Sequence, residues 1–202
     1  MIPLMIKVLK FSQHTAHGTS LVALIFTGLS GALTYGLQGH IHIPAAGSLA
    51  AAAVVTAGAG ARYANALPGW KLRKTFGAFL ILCAVLLSIK PYLSAQGGHH
   101  PLYILILVFL TAGALTGFIS GMMGIGGGII MIPALVMLAG FGQHMAQGTA
   151  LLVMVPLGIA GALTHHRLGN VNTECLFGLV PGILLGAALG GYAAGRIPDA
   201  HL

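Results

Sequence analysis

The chain alternates long apolar segments with short polar or glycine-rich breaks. Six segments are long enough to cross a membrane as helices, since a crossing needs about 20 apolar residues. They cover residues 18–37, 44–66, 75–93, 101–121, 148–166 and 175–195. Two further apolar segments, 1–10 and 129–139, are too short to cross alone. We expect these two to be half-helices or arms of broken helices.

The composition is typical of a chain surrounded by lipid. Of 202 residues, 57% are hydrophobic and 5% are charged, whereas a soluble domain carries roughly 25% charged residues. Lipid offers no hydrogen-bond partners, so only helices or closed barrels satisfy a backbone that crosses it. The segments are long and do not alternate in polarity, which argues against a barrel. We therefore predict an all-α, polytopic helical membrane protein.

The net charge of +7 changes this picture little. A basic balance can indicate a nucleic-acid partner, but here the cations lie at the ends of apolar segments and form no basic face, so we predict no such partner. The densest cluster, at 71–74, indicates a cytoplasmic loop, which puts the loop 94–100 outside. The chain has only two acids, Glu174 and Asp199. An anionic substrate would therefore meet little repulsion inside the membrane.

A polar phrase that occurs twice indicates an internal duplication. SQHTAHGTSL at 12–21 returns as GQHMAQGTAL at 142–151, an offset of 130 residues. The same offset aligns further glycines and prolines without a gap. We predict two homologous repeats, 1–93 and 101–202, joined by the loop 94–100.

Duplicated halves are the usual build of secondary transporters, which bind their substrate where the repeats meet. Parallel and inverted halves both remain compatible with the sequence. The second copy opens with a span and a glycine loop that the first copy lacks, and the first copy continues into a span that the second lacks. We expect the chain to be shorter than a complete pair of repeats by one segment at each end.

The glycine loop GIGGG, 124–128, is the first candidate for chemistry. Glycines permit positive φ and close backbone approach. A helix that begins near Ile129 would direct its free N–H groups and positive dipole end into the loop, which makes an anion site of Gly126, Gly127 and Gly128. Pro133 fits the first turn of that helix. A tight helix crossing or a simple re-entrant turn explains the same letters.

The doubled phrase supplies the other candidates, Gln13, His14, Thr19, Gln143, His144 and Thr149. Each Gly-Thr pair is typical of a helix start, with threonine as a cap or first-turn hydroxyl. Threonine and glutamine can donate hydrogen bonds to an oxyanion, and the histidines could add a donor or a proton. Capping and interfacial polarity are the plainer interpretation. Two histidines without other ligands are weak support for a metal site, so we predict no metal and no cofactor.

Two further patterns are interpreted structurally. The run from His165 to Arg167 ends a span, which is typical of side chains that reach toward the interface. Gly28 to Gly31 spells the GxSG of intramembrane serine proteases. At the equivalent position of the second copy the serine is Ala160, so the glycines look structural and we predict no enzyme.

The glycine loop and the doubled phrase resemble the TauE/SafE family of sulfite and organosulfonate exporters. The matching stretches are 117–136, 147–172, 18–33 and 61–80. The resemblance implies a multi-pass permease of the inner membrane that exports or exchanges small anions such as sulfite or sulfoacetate. It implies that Gly126 to Gly128 face the substrate and that Thr19 and Thr149 lie near it. The first half departs from the pattern because it lacks a glycine loop of its own.

Our functional hypothesis is a secondary transporter of a small anion, working by alternating access where the repeats meet. The alternative is a non-transporting membrane subunit or an inactive fragment of such a transporter. A homo-oligomer is compatible with either. The substrate, the coupling ion and the direction of flux are left open by the sequence.

Overall fold

A computed structural model describes residues 1–89 and 102–196 of the protein. This part of the chain is all helix and turn, with no strand. The helices are α1 (Ile2–Val8), α2 (Gln13–Leu37), α3 (Ile43–Ala66), α4 (Gly69–Ile89), α5 (Leu102–Met123), α6 (Gly128–Ala139), α7 (Gln143–Arg167) and α8 (Thr173–Ala194). Five of them, α2, α3, α5, α7 and α8, are long and apolar enough to cross a membrane. The predicted class, an all-α polytopic membrane protein, is confirmed.

Helices α2 and α7 begin earlier than the apolar pattern suggests, at Gln13 and Gln143, although only α2 has a side-chain cap there. The hydroxyl of Ser12 caps α2, accepting from the amide of Thr15 at 3.1 Å. The doubled phrase therefore fills the first turns of α2 and α7 instead of preceding them. Thr19 and Thr149 lie in the second turn of these helices. The expected role of the two threonines as caps or first-turn hydroxyls of their own helix is wrong.

The expected break after the fourth span is present. Helix α5 ends at Met123 and α6 begins at Gly128, close to the predicted start at Ile129. The expectation for Pro133 is wrong, since this residue lies in the second turn of α6. A proline there has no N–H to give to the carbonyl one turn earlier, so α6 is a short helix weakened in its middle.

Helices α2 and α7 run antiparallel and cross closely at glycines. A Cβ on Gly28 would lie 2.9 Å from the carbonyl oxygen of Leu151, and one on Gly158 would lie 3.3 Å from that of Leu21. Helices α3 and α5 run parallel, with Gly113, Gly117 and Gly121 of α5 set against the backbone of α3. Small residues let membrane helices approach this closely.

The basic residues concentrate at one end of the bundle, where α2 begins and α3, α5 and α7 end. We call this the basic end. Seven lysines and arginines lie there: Lys7, Lys10, Arg62, Lys71, Arg73, Lys74 and Arg167. Arg196 lies at the opposite end, and Lys90 is outside the described residues.

One contact between the two halves of the chain recurs at residues 130 positions away, with the roles of the two halves exchanged. A Cβ on Gly18 would overlap the carbonyl oxygen of Asn170, and one on Gly148 would overlap that of His40. One contact lies at the basic end and its counterpart lies at the opposite end. The expected loop 94–100 and residues 197–202, including Asp199, lie outside the described residues, so the repeat boundaries stay predictions.

These crossings predict where added volume is harmful. Replacing Gly148 by valine should lower the free energy of unfolding by about 1–3 kcal/mol or more, because the carbonyl of His40 belongs to the backbone and cannot move aside easily. Gly47→Val is the matched control, since a Cβ there meets nothing within 4 Å. Thermal denaturation of the purified protein in detergent measures the difference. Equal midpoints for the two variants would contradict the crossing.

Candidate functional site

The end of α5 lies inside the bundle, so its last carbonyl groups need donors from other helices. His165 of α7 donates from Nε2 to the carbonyl oxygen of Gly121 at 2.9 Å. His17 of α2 donates from Nδ1 to the carbonyl oxygen of Met123. A carbonyl oxygen can only accept, so each of these ring nitrogens carries the hydrogen. Both histidines are fully buried.

Two neighbours complete this set of donors. Ser20 of α2 donates its hydroxyl to the carbonyl oxygen of Gly124 at 2.7 Å. Gln13 donates from its side-chain amide to Nε2 of His17 at 2.9 Å. A line of hydrogen bonds therefore runs from the first turn of α2, at the basic end, to the last turn of α5.

The loop that follows α5 depends on glycine. Gly124 has φ +63° and Gly126 has φ +78°, in the left-handed region that favours glycine. The loop is also tightly enclosed. A Cβ on Gly124 would overlap the carbonyl oxygen of His17, and one on Gly126 would lie 3.1 Å from the side chain of Leu24. The backbone therefore approaches α2 as closely as it can.

Helix α6 starts beside α5 without a side-chain cap. Gly127 is its N-cap residue and has no side chain to accept from the first amides. A Cβ on Gly127 would overlap the methyl group of Thr116 in α5. The N–H groups at the start of a helix have no acceptor within it. The start of α6 therefore presents bare amides and a positive dipole end inside the bundle.

Helix α5 carries two buried hydroxyl groups one turn apart, on Thr116, whose methyl group lies against the start of α6, and on Ser120. Thr116 is 0% exposed and Ser120 is 2% exposed. Neither hydroxyl has a hydrogen-bond partner within the part of the chain that the structure describes. Thr111 on the same helix, in contrast, bonds back to the carbonyl oxygen of Leu107 at 2.9 Å. Thr116 and Ser120 do not form that local bond.

The candidates from the doubled phrase do not meet at one place. Gln13 and His14 lie at the basic end, whereas Gln143 and His144 lie at the opposite end, where α7 begins. The two pairs are separated by at least the length of α2, whose 25 residues span about 37 Å at 1.5 Å per residue. The glycine loop is close to the first pair only, through Gln13 and His17.

Thr19 and Thr149 hold the starts of other helices. The hydroxyl oxygen of Thr149 accepts from the amide of His42, which precedes α3, at 3.0 Å. The hydroxyl oxygen of Thr19 accepts from the amide of Asn172, which precedes α8, also at 3.0 Å. Both threonines are fully buried. Each one therefore ties one half of the chain to the other.

The opposite end carries a polar cluster of its own. Tyr35 donates its hydroxyl to Oε1 of Gln147. The ring of His144 lies 5.1 Å from that of His40, centroid to centroid, and its Nε2 donates to the carbonyl oxygen of Ala194 at 3.1 Å. These groups lie at the opposite end of the bundle from the glycine loop.

Sequence reasoning missed most of the side chains around the loop. These are His17, Ser20, Thr116, Ser120 and His165. The expectation that His165 reaches toward the interface is wrong, because the carbonyl of Gly121 needs a buried donor and this ring supplies it. The available signal was the presence of polar residues within otherwise apolar helices. Intramembrane polar residues of this kind are by default candidates for function.

A buried glycine turn between two helices that run back beside each other, surrounded by polar side chains of crossing apolar helices, is compatible with a multi-pass membrane transporter. The sequence comparisons name the family. The chain belongs to the TauE/SafE sulfite exporter family, whose sequence model matches residues 1–202.

The chain is similar to proteins named probable membrane transporters. It is 28% identical to YdhB of Bacillus subtilis over 192 residues, covering 94% of this chain and 78% of YdhB. It is 36% identical to a probable membrane transporter protein of Haemophilus influenzae over 103 residues, covering 48% of this chain and 39% of that protein. No solved structure matches the chain significantly.

The threonine contacts predict a stability effect separate from any ligand. Thr149→Val should lower the free energy of unfolding by about 0.5–1.5 kcal/mol, because the part-buried amide of His42 would lose its acceptor. Thr149→Ser keeps the oxygen and should restore most of the loss. Thr19→Val and Thr19→Ser test the equivalent contact at the basic end. Chemical or thermal unfolding in detergent measures these values, and a stable Thr149→Val protein would remove the contact from the fold.

Proposed function

We propose that the protein is a secondary transporter that carries a small anion across the inner membrane of the cell. The anion binds at the start of α6, between the glycine loop and α5. The observation that carries the proposal is the buried, unpartnered hydroxyl of Thr116, a residue whose methyl group lies against the uncapped start of α6, with the unpartnered hydroxyl of Ser120 one turn further along α5. The family match supports transport as the general role.

The chemistry of this place favours a negative ligand. The amides of Gly128 and Ile129 and the positive end of the α6 dipole attract an anion. The hydroxyl groups of Thr116 and Ser120 donate hydrogen bonds without adding a fixed charge. Glu174 is the only acid among the described residues, and it lies in the first turn of α8 at the basic end. No described carboxylate therefore competes with an anion at the loop.

A sulfite or an organosulfonate suits such a donor set. The sulfur of either carries three oxygens on one side, which can take several amide and hydroxyl donors at once. The family description, a sulfite exporter, supports this substrate class. Gly126, Gly127 and Gly128 would contact the anion through the backbone, while Gln13, His14 and Thr19 lie toward the basic end and Gln143, His144 and Thr149 toward the opposite end.

We infer that the two halves are inverted repeats that rock about the site. The equivalent helices α2 and α7 run in opposite directions, and their contacts recur at an offset of 130 residues with both partners exchanged. A two-fold axis in the membrane plane gives this pattern, and transporters with inverted repeats use it for alternating access. The excess of lysine and arginine at the basic end supports a cytoplasmic location for that end.

The binding site predicts a loss of transport on two substitutions. Gly127→Leu should abolish uptake of radiolabelled sulfite into membrane vesicles, because its side chain would overlap the methyl group of Thr116 and push the loop away from α5. Thr116→Val should raise KM by about 10-fold or more, since a hydrogen bond to a charged ligand contributes roughly 1.5–3 kcal/mol. Thr111→Val is the matched control, because that hydroxyl bonds to its own helix.

Unchanged flux in Gly127→Leu would remove the loop from the mechanism. A wild-type protein that folds, is inserted in the membrane and moves none of the small sulfur oxyanions tested would favour the alternative role, a non-transporting membrane subunit.

The rocking motion predicts that a link between α2 and α7 stops transport. A Cβ on Gly28 would lie 3.3 Å from the Cβ of Met154, near the spacing of disulfide-bonded cysteines. Because a Cβ on Gly28 would also lie 2.9 Å from the carbonyl oxygen of Leu151, the flux of the reduced double variant Gly28→Cys, Met154→Cys, with Cys83 and Cys175 replaced by alanine, is the reference. That flux should be lost on oxidation and regained with a reductant. Each single cysteine variant is the control. Full flux in the cross-linked protein would contradict a rocking of the halves.

A further inference from the structure

A pocket of about 360 Å³ opens at the basic end between α1, α2 and α4. Its walls combine apolar side chains with polar and cationic ones: Ile2, Pro3, Ile6, Lys7, Gln13, Arg73 and Phe76. We call it the basic pocket. It is separate from the glycine loop, and the doubled phrase contributes only Gln13 to it.

The two cations of the basic pocket are free of carboxylate partners. Neither Lys7 nor Arg73 forms an ion pair within the part of the chain that the structure describes, whose only acid is Glu174. Their neighbours Lys71 and Lys74 are engaged differently, since their ammonium groups lie over the ring of Trp70 at 5.4 and 5.1 Å. The pocket therefore offers two positive charges and an amide to a negative group small enough to enter it.

A chain of hydrogen bonds connects the basic pocket to the glycine loop. Gln13 lines the pocket and donates to the ring of His17. His17 in turn donates to the carbonyl oxygen of Met123, one residue before the loop begins. The ring of Phe76, another wall of the pocket, meets the His17 ring edge to face at 5.5 Å. The floor of the pocket is thus the layer of side chains that covers the loop from the basic end.

We propose that the basic pocket is the vestibule in which the transported anion binds before it reaches the glycine loop. The ligand is a small oxyanion such as sulfite, held by Lys7 and Arg73. The inference rests on the proposed function and extends it to the path of the substrate on the basic side. The phosphate of an anionic lipid headgroup shares this chemistry, and the experiment separates the two sources.

Such a vestibule changes how readily the anion binds, and it does not change the maximal rate of transport. Cations that line a cleft raise the local concentration of an anion and its rate of binding. Added salt screens this attraction, since the Debye length falls from about 8 Å at physiological ionic strength to about 3 Å at 1 M. Loss of the two charges should therefore raise KM while the maximal rate stays the same, and high salt should remove the difference.

The test is uptake of radiolabelled sulfite by everted membrane vesicles, which expose the cytoplasmic face to the medium. The double variant Lys7→Gln, Arg73→Gln should raise KM by about 3- to 10-fold at low salt with the maximal rate unchanged. The double variant Lys71→Gln, Lys74→Gln removes the same charge from the same end outside the pocket, and its KM should stay within about twofold of wild type. Equal KM values for the two double variants would overturn the vestibule.

Two further arms distinguish the vestibule from a lipid-headgroup site and from a failure of the binding loop itself. Reconstitution in neutral phosphatidylcholine should preserve the KM difference, whereas a lipid-headgroup site would show it only when phosphatidylglycerol is present. Gly127→Leu tests the proposed function in the same assay. A loss of flux in Gly127→Leu together with a normal KM in Lys7→Gln, Arg73→Gln would reject the vestibule alone, and normal flux in Gly127→Leu would reject the loop as the site.

A second measurement does not depend on transport. Ile6→Cys, in a protein with Cys83 and Cys175 replaced by alanine, places a thiol in the wall of the basic pocket. An anionic methanethiosulfonate reagent should modify it several-fold faster than a cationic one. Lys7→Gln, Arg73→Gln should abolish that preference, and Lys71→Gln, Lys74→Gln should keep it. A preference that does not depend on Lys7 and Arg73 would overturn the proposal even if sulfite is not carried.

Discussion

The turn between α5 and α6 depends on pairing the buried backbone carbonyl groups at the end of α5. A helix that ends inside an apolar bundle leaves carbonyl groups that cost several kcal/mol each if they stay unpaired. His17, Ser20 and His165 supply the donors, and each comes from a helix distant in sequence. The same three bonds bring α2 and α7 against the end of α5. The need to pair the carbonyl groups at the end of α5 therefore fixes the positions of α2, α5 and α7 relative to one another.

The end of α5 and the start of α6 differ in how their backbone groups are paired, and this difference supports an anionic ligand. At the end of α5, side chains of α2 and α7 pair with the carbonyl groups of Met123 and Gly121. The start of α6 has a glycine cap residue, and α5 beside it carries two hydroxyl groups without a partner among the described residues. Helices α3 and α8, in contrast, begin with capping side chains, those of His42 and Asn172. The uncapped start of α6 beside unpartnered hydroxyl groups is what supports the proposed anion site.

The sequence predicts the helices well because apolar length is a local property. Segment 44–66 becomes α3 at Ile43–Ala66, and the glycine break falls where five residues of GIGGG require it. The errors concern partners that are distant along the chain. Nothing near His165 indicates that the carbonyl of Gly121 needs its ring, and nothing near Thr149 indicates the amide of His42. These roles follow from packing, which periodicity does not encode.

The same limit applies to the doubled phrase. Equal letters in two repeats suggest equal surroundings, and that expectation holds for the threonine contacts with His42 and Asn172. It does not bring the two phrases together, because α2 and α7 run in opposite directions and carry their first turns to opposite ends of the bundle.

The paired threonine contacts bear on how a rocking cycle could be balanced. Opening one end of the interface between the halves would stretch the contact of Thr149 with His42, and opening the other would stretch that of Thr19 with Asn172. Each contact is one amide donated to one buried hydroxyl oxygen at 3.0 Å. Breaking either costs a similar free energy, about 0.5–1.5 kcal/mol for a part-buried amide that loses its acceptor. The two open states would therefore differ little in this contribution, and a modest difference in binding at the glycine loop could decide between them, because a ligand shifts an equilibrium only by its differential affinity for the two states.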